Sequence, residues 1–476
     1  MANFIEVQRH SSLFVLGDLE ALTPLNSVAR VIWAALADMD FSEFEAMYTN
    51  DHSGRPAVHP RCLTAVWLLG LVRGVTSSTR LEALCASDVE FRWLLGDAPV
   101  KKSTLCAFRT QGEGLSGLCS QVLAGLARSG LLPGESVGVD GTVIRAAASC
   151  SSVTTPKKLR KRIQRLQEKV EKTLEEATEN DGAERLEALE KQQTRLGQAM
   201  EEIQALGLGE EESYTVSEPE ARRLKLKKGG CAPAYNIQIS ADLHTGAIVH
   251  SQVSEQSNDA GQLKAQAEEA RAALVQAKGE DSVRELVADG GYHDARQLVE
   301  LEEEGVHCVV PDSRNANRVP PGVSEDFRAE RFTYDPATDT MRCPAGHVLC
   351  PRAKTPTSVT YQANKNDCAA CPHKAQCCPK AKQGRSVNRS IFRQKLDEIA
   401  ARLATHWGKQ RASARWTVSE GIYARLIGLL SLERFRTWGR THVHAEVLWR
   451  ELAHNLMLLT GQWRPLVYEM AEAASL

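Results

Sequence analysis

No apolar run in this chain is long enough to cross a bilayer. The longest, Leu63–Val72, stops well short of the ~20 residues a spanning helix needs. The opening MANFIEVQRHSSLF lacks the basic-then-apolar pattern of a secretory leader, so a cytoplasmic protein with no membrane partner is expected. Aromatic residues are sparse at 5%, but 42% hydrophobic and 25% charged residues is a folding composition, which excludes an intrinsically disordered polymer. Net charge is almost absent, at −2 over 476 residues, so any contact with nucleic acid must rest on local charge. A disulfide framework is missing as well. Thirteen cysteines is an odd number, and seven are scattered from Cys62 to Cys308, several in apolar stretches where thiols pack as small hydrophobes.

Local charge is present where global charge is not. Between Pro379 and Arg415 there are ten Lys or Arg residues against only Asp397 and Glu398. Such a stripe neutralises phosphates or simply solvates a helix face. Arg389, Arg393, Lys409, Arg411, Arg415 and, further on, Arg425 are the candidates for DNA contact.

The chain length leaves room for two to four domains. Residues 1–130 read as helical, punctuated by Gly and Pro, and form a candidate DNA-binding domain. ESVGVDGTVIRAAAS is rich in β-branched residues around Asp140-Gly141 and reads as a hairpin, or as strand flanking a tight turn. Residues 156–205 carry apolar residues at helical spacing on either side of Glu179-Asn-Asp-Gly-Ala, which predicts an antiparallel helical hairpin. AYNIQISADLHTGAIVHSQVSE reads as two strands joined at His244-Thr-Gly246. A helix, the strand ending at VADGGYH, a second helix and the strand HCVVPDS follow. This is an α/β order with a mixed sheet, the order a ribonuclease-H-like core produces, with the hairpin inserted after the first strand. Residues 131–312 form the first part of that core, 313–388 a cysteine-rich insertion, and 389–476 C-terminal helices that complete it.

Three carboxylates draw attention. Asp140 and Asp289 lie at predicted strand ends, and Glu420 opens a helix beyond the insertion. Carboxylates delivered to one sheet edge can hold two divalent cations about 3.5–4 Å apart for in-line displacement at phosphorus, and hard oxygen ligands select Mg²⁺ or Mn²⁺. Each also has a plain structural reading: a hairpin turn for Asp140-Gly141, a strand-ending turn for Asp289-Gly-Gly, one helix glutamate among many for Glu420.

Several motifs in order decide between these readings. GRPAVHPRCLTAVWLLGLVRGVTSSTRLEALCASDVEFRWLLG with KKSTLCAFR, then VDGTVIRAAAS, PEARRLKLKKG, AYNIQISAD, VADGGYHD and VSEGIYARLIGLLSLERFRTWGRTHVHAEVLWRELAHNL span nearly the whole chain. Together they resemble the DDE transposases of bacterial insertion sequences, in particular the group numbered eleven-eighty-two. The chain departs from that pattern at Glu218-Pro219 and Trp438-Gly439. It also has no basic residue at the expected position after the glutamate, where Arg425 stands nearest. The resemblance implies catalysis by Asp140, Asp289 and Glu420, with two Mg²⁺ or Mn²⁺ ions and no covalent enzyme intermediate. It further implies binding to terminal inverted repeats and target DNA, a homodimer on DNA, and a location at the bacterial nucleoid. Two alternatives stay open, a domesticated relative that only binds DNA and a nuclease of the same fold that never joins ends.

Six cysteines crowd between Cys343 and Cys378. Cys343, Cys368, Cys371 and Cys377 have the spacing of a closed Cys₄ zinc site, with Cys350, Cys378, His347 and His373 in reserve. Such a site is structural, since four protein ligands leave no open position. Free thiols and redox pairs are the other readings.

Overall fold

The computed structural model describes residues 18–48, 57–176, 181–254, 256–312 and 322–464. The opening segment read for a leader, Glu179–Asn180 of the hairpin break and residues 313–321 at the start of the cysteine-rich region lie outside them. The chain forms two units, one of residues up to Val122 together with 424–464, the other of Leu123–Tyr423.

The first unit is helical. Its Pro60–Val72 helix begins with proline at the first position, where no N–H is needed, and the His59 ring accepts the Arg61 N–H at 3.1 Å. It is apolar on every side and is buried from Leu63 through Leu71. The Arg440–Leu459 helix is equally enclosed. Trp449 is fully buried, with its ring centroid 6.0 Å from that of Trp67 and 6.1 Å from that of Phe108, and its indole N–H donates to the Arg109 carbonyl at 3.0 Å. Of the C-terminal helices, Arg393–Tyr423 belongs to the second unit and 424–464 to the first. Contacts of the Arg440–Leu459 helix with the N-terminal helices run through Trp449 to Trp67, Phe108 and the Arg109 carbonyl.

The second unit is built on a mixed sheet. Its strands are β1 (Ser136–Arg145), β2 (Arg222–Lys225), β3 (Cys231–Asp242), β4 (Ile248–Ser254), β5 (Glu285–Val287) and β6 (His307–Val309). The order runs β2-β3-β1-β5-β6, with β4 also paired to β3. β3 is antiparallel to β1, β4 antiparallel to β3, and β5 and β6 run parallel to β1. The β3–β4 turn falls where the sequence predicts it. Asp242 accepts the N–H groups of His244 and Thr245, and Gly246 takes a φ of +74° that a side chain would strain.

The predicted turn at Asp140-Gly141 does not form. β1 runs unbroken through both residues, paired Asp140↔Ile239 and Gly141↔Gln238. The Asp-Gly dipeptide is a local turn signal, but nine consecutive pairs with β3 override it. Glycine is required there for another reason. A Cβ on Gly141 would stand 2.5 Å from Asp259 Oδ1 and 2.8 Å from Gln238 Nε2.

Between β1 and β2 the helices Pro156–Glu176 and Asp181–Ala205 form the expected antiparallel pair around Leu159, Leu166, Leu196 and Ile203. Glu218 anchors the return to the sheet. It is buried and accepts from the Ala148 N–H and the Tyr235 hydroxyl. Residues 333–390 form a second sheet of five antiparallel strands, β7 (Thr333–Asp335), β8 (Thr340–Arg342), β9 (Val348–Lys354), β10 (Ser358–Ala363) and β11 (Ser386–Ser390), with its own small core of Phe327, Phe332, Leu349 and Tyr361. The helices Arg393–Ala404 and His406–Tyr423 then pack back against the first sheet.

Candidate active site

Parallel pairing of β1 with β5 ends at Gly138↔Val287. Two residues farther along each strand direction stand Asp140 and Asp289, so the register brings both carboxylates to the same end of the sheet. Asp289 caps the short turn Gly290–Tyr292, its Oδ1 accepting the Gly291 N–H at 2.8 Å.

The His406–Tyr423 helix crosses this edge. Gly138 leaves room for the Leu243 side chain, which a Cβ there would meet at 2.5 Å, and Arg415 of the helix lies at ordinary contact distance beyond it. Arg415 Nη1 lies 3.2 Å from Asp140 Oδ2, with both side chains largely buried. One turn earlier Arg411 pairs with Glu285 at 2.9 Å, and from the preceding helix Arg402 pairs with Glu302 at 2.5 Å. These three arginines are the inner face of the basic stripe and dock the helices on the sheet.

Burial raises the Asp140 carboxyl above its ordinary value; Arg415 opposes that effect, and the charge of Asp289 adds to it. Tyr292 and Tyr423 lie beneath. Burial first, then the charges of Asp259, Asp140 and Asp289, hold the Tyr292 phenol protonated. Burial and the charges of Asp140 and Asp259 do the same for Tyr423. A group whose pKa is raised by folding opposes folding once ionised. Asp140→Asn is therefore expected to raise the melting temperature of the metal-free protein at pH 7. That gain should shrink as pH falls through the raised Asp140 value and vanish below the ordinary carboxylate value of about 4. Thermal unfolding of both proteins across pH 3–8 checks this, and a melting temperature lower than wild type at pH 7 contradicts it.

Glu420 is on the same helix as Arg415 but on a different face. It is half exposed and lies 3.8 Å from Lys227, whose ammonium also sits 4.9 Å from the Tyr423 ring centre. Lys227 acts on Asp140 as well, opposing its protonation, and so stands among these acids. Among the described residues, no group of three or more His, Cys, Asp or Glu side chains stands in metal-holding geometry. Oxygen donors from Asp140 and Asp289, with a guanidinium already drawn to the first, nonetheless form a donor set suited to a hard cation.

The residues expected at DNA divide. Arg411 and Arg415 face inward, Arg393 pairs with Asp397 at 2.9 Å, and Arg389 lies over the Tyr334 ring at 3.7 Å. Lys409 is exposed. Arg425 belongs to the helical unit, where it donates to the Arg464 carbonyl and lies 5.2 Å from the Trp463 ring centre.

The cysteines converge. Cys343, His347, Cys368, Cys371, Cys377 and Cys378 line one small cavity beside the second sheet. The Arg385 N–H donates to Cys368 Sγ at 3.3 Å, and the His347 N–H to Cys343 Sγ at 3.2 Å. Burial, with Cys378 and Cys368 adding to it, pushes the Cys377 thiol up to about 12. Cys350 is exposed on β9, and the His373 ring sits tilted by 36° against Phe327, centroids 5.3 Å apart.

Asp259 was missed by sequence reasoning. It lies between β4 and the Leu263–Lys278 helix and reaches the sheet edge beside Gly141 and Gly291. Nothing in Asn258-Asp-Ala-Gly marks it locally.

Two family models match the chain: Transposase domain (DUF772) over residues 17–111 and Transposase DDE domain over residues 342–460. Glu420 falls within the second match, and Asp140 and Asp289 fall outside both. No curated protein and no solved structure matches. The two matched domains support an insertion-sequence DDE transposase, a DNA polynucleotidyl transferase, and the DDE domain implies dependence on a divalent metal.

Proposed function

We propose that Asp140, Asp289 and Glu420 are the catalytic carboxylates of a ribonuclease-H-like core in this transposase. They serve cleavage at the terminal inverted repeats of the element and joining of the freed ends to target DNA. The observation that carries this is the β1–β5 register, which ends two residues short of Asp140 and Asp289 on adjacent parallel strands. The strand order supports it, with an antiparallel three-strand meander followed by two parallel strands on the far side of β1. The motifs further favour the eleven-eighty-two group.

Bound at this edge, two Mg²⁺ or Mn²⁺ ions supply activation of the attacking oxygen and charge neutralisation at the leaving oxygen. The protein's part is placement. β1 and the Gly290–Tyr292 turn hold Asp140 and Asp289, and Glu420, on the helix that carries Arg415, is the third carboxylate in this reading. Lys227 balances the acids while DNA is absent. Two ends must be cut and joined together, so the acting form is a dimer on DNA.

Residues 1–130 recognise DNA in this reading, and Arg389, Arg393 and Lys409 add phosphate contacts from the basic stripe. Arg411 and Arg415 serve the fold of the site instead. Cys343, Cys368, Cys371 and Cys377 hold a structural zinc ion, supported by their convergence on one cavity and by N–H groups directed at two of the sulfurs. Purified protein should then contain one zinc per chain, and Cys371→Ser should lose it. Metal analysis of the two proteins checks this, and zinc-free protein whose melting is unmoved by a chelator contradicts it.

The function is tested with a linear DNA bearing the element ends, a plasmid target and Mg²⁺ or Mn²⁺. Joined product supports a transposase of this kind. Hydrolysis without joining favours the nuclease, and binding without cutting favours the domesticated relative.

A further inference from the structure

Asp259 is held in one orientation by two amides from β3. Asn236 Nδ2 donates to its Oδ1 at 3.1 Å and Gln238 Nε2 donates to the same oxygen at 2.7 Å. Gln238 is itself fully buried, and its amide cannot turn over, because the buried Tyr292 hydroxyl donates to its Oε1. Tyr292 lies three residues after Asp289. A continuous chain of donors therefore runs from the Asp289 turn through Tyr292 and Gln238 to Asp259.

The glycine of the first aspartate motif leaves room for this carboxylate, and that of the second lies at contact distance from it. A Cβ on Gly141, beside Asp140, would stand 2.5 Å from Asp259 Oδ1. A Cβ on Gly291 would stand 2.9 Å from Asp289 Oδ1 and 3.6 Å from Asp259 Oδ2. Asp259 thus fills the space left between the two motifs. Its Oδ1 is saturated by amides, and its Oδ2 accepts no hydrogen bond among the described residues and lies on the Asp289 side. A third negative charge fixed at this spot has no basic partner among the ion pairs of the described residues, whereas Asp140 has Arg415 and Glu420 has Lys227.

We propose that Asp259 is a fourth carboxylate of the catalytic centre, whose fixed negative charge strengthens the hold of Asp140 and Asp289 on the divalent cation. This rests on the reading of Asp140 and Asp289 as the cation-holding pair. Asp259 acts through its charge, since no hydrogen bond joins it to either aspartate among the described residues, and its loss should cost on the order of 10-fold in metal affinity. The Asn236–Gln238–Tyr292 relay keeps its carboxylate turned to the site, so the relay should matter in proportion.

The test is Mn²⁺ titration of the full-length protein by electron paramagnetic resonance of the free ion, without DNA. Wild type, Asp259→Asn, Tyr292→Phe and Asp140→Asn are compared, with circular dichroism as the check on folding. Asp259→Asn should weaken Mn²⁺ binding about 10-fold. Tyr292→Phe, which keeps every charge and frees the Gln238 amide to turn, should weaken it by a smaller factor. Asp259→Glu, which restores the charge, should recover part of the affinity. If Asp259→Asn binds Mn²⁺ like wild type while Asp140→Asn does not, Asp259 has no role at the cation and the proposal falls while the site stands. If Asp140→Asn also binds like wild type, the site reading falls and takes the proposal with it. Should Asp259→Asn fail to fold, Tyr292→Phe decides: unchanged affinity overturns the proposal, and weakened affinity with the fold intact supports it.

Discussion

Asp140→Ala and Asp289→Ala should each abolish cleavage and joining while leaving binding to the element ends intact. Asp140 on β1 and Asp289 just past β5 each stand two residues beyond the last pair of these adjacent parallel strands. A positioned cation supplies several kcal/mol of charge stabilisation in the transition state, so a fall of roughly 10³ or more in the cleavage rate is expected from either variant. DNA binding rests on other residues and is the internal control. Glu420→Ala should fall in the same class. Cleavage retained in that variant, but lost in the other two, would remove Glu420 from the catalytic set.

The second large effect concerns stability of the helical unit. Glu446 is fully buried in the Arg440–Leu459 helix, and its Oε1 gathers three donors. The N–H groups of Arg436 and Thr437 reach its Oε1 at 2.8 and 2.6 Å, and the Thr437 hydroxyl reaches it at 2.7 Å. Arg450, also buried, lies 3.5 Å from Oε2. Burial lowers the Arg450 pKa, and Glu446 opposes that shift, so the pair is held together by mutual need. Removing one member strands the other charge and two backbone donors. Glu446→Ala should therefore cost about 3–5 kcal/mol. Glu446→Gln keeps an acceptor for the donors and should cost less. Denaturant unfolding of the three proteins checks the order, and equal stability of Glu446→Ala and wild type would falsify this account of the helix.

Much of the architecture was legible in the sequence because period and turn chemistry agree with the final packing. The β3–β4 hairpin is one such case, since Asp242, Thr245 and Gly246 supply the turn's own hydrogen bonds and dihedrals. The helical pair at 156–205 is another, with apolar residues repeating at helical spacing and a core of its own. Three features were not legible. Asp140-Gly141 reads locally as a turn, and only pairing with a strand about a hundred residues away keeps it extended. Arg411 and Arg415 read as phosphate contacts, because a basic stripe gives no sign of which side meets Glu285 and Asp140. Asp259 carries no motif, and its place at the sheet edge emerges only when β3 delivers Asn236 and Gln238 beside it.

The C-terminal helix illustrates the same limit. Its apolar spacing shows that it is buried, and nothing in that spacing says against what. Trp449 answers this through Trp67, Phe108 and the Arg109 carbonyl, all contributed by N-terminal helices.

The measurement closest to the central claim is metal-dependent cutting of a DNA fragment carrying one element end, with end binding followed in the same samples. The account predicts cleavage at the element boundary by wild-type protein in Mn²⁺ or Mg²⁺, none in a chelator, and none by Asp140→Ala at equal binding. Cleavage by Asp140→Ala at the wild-type rate would contradict it.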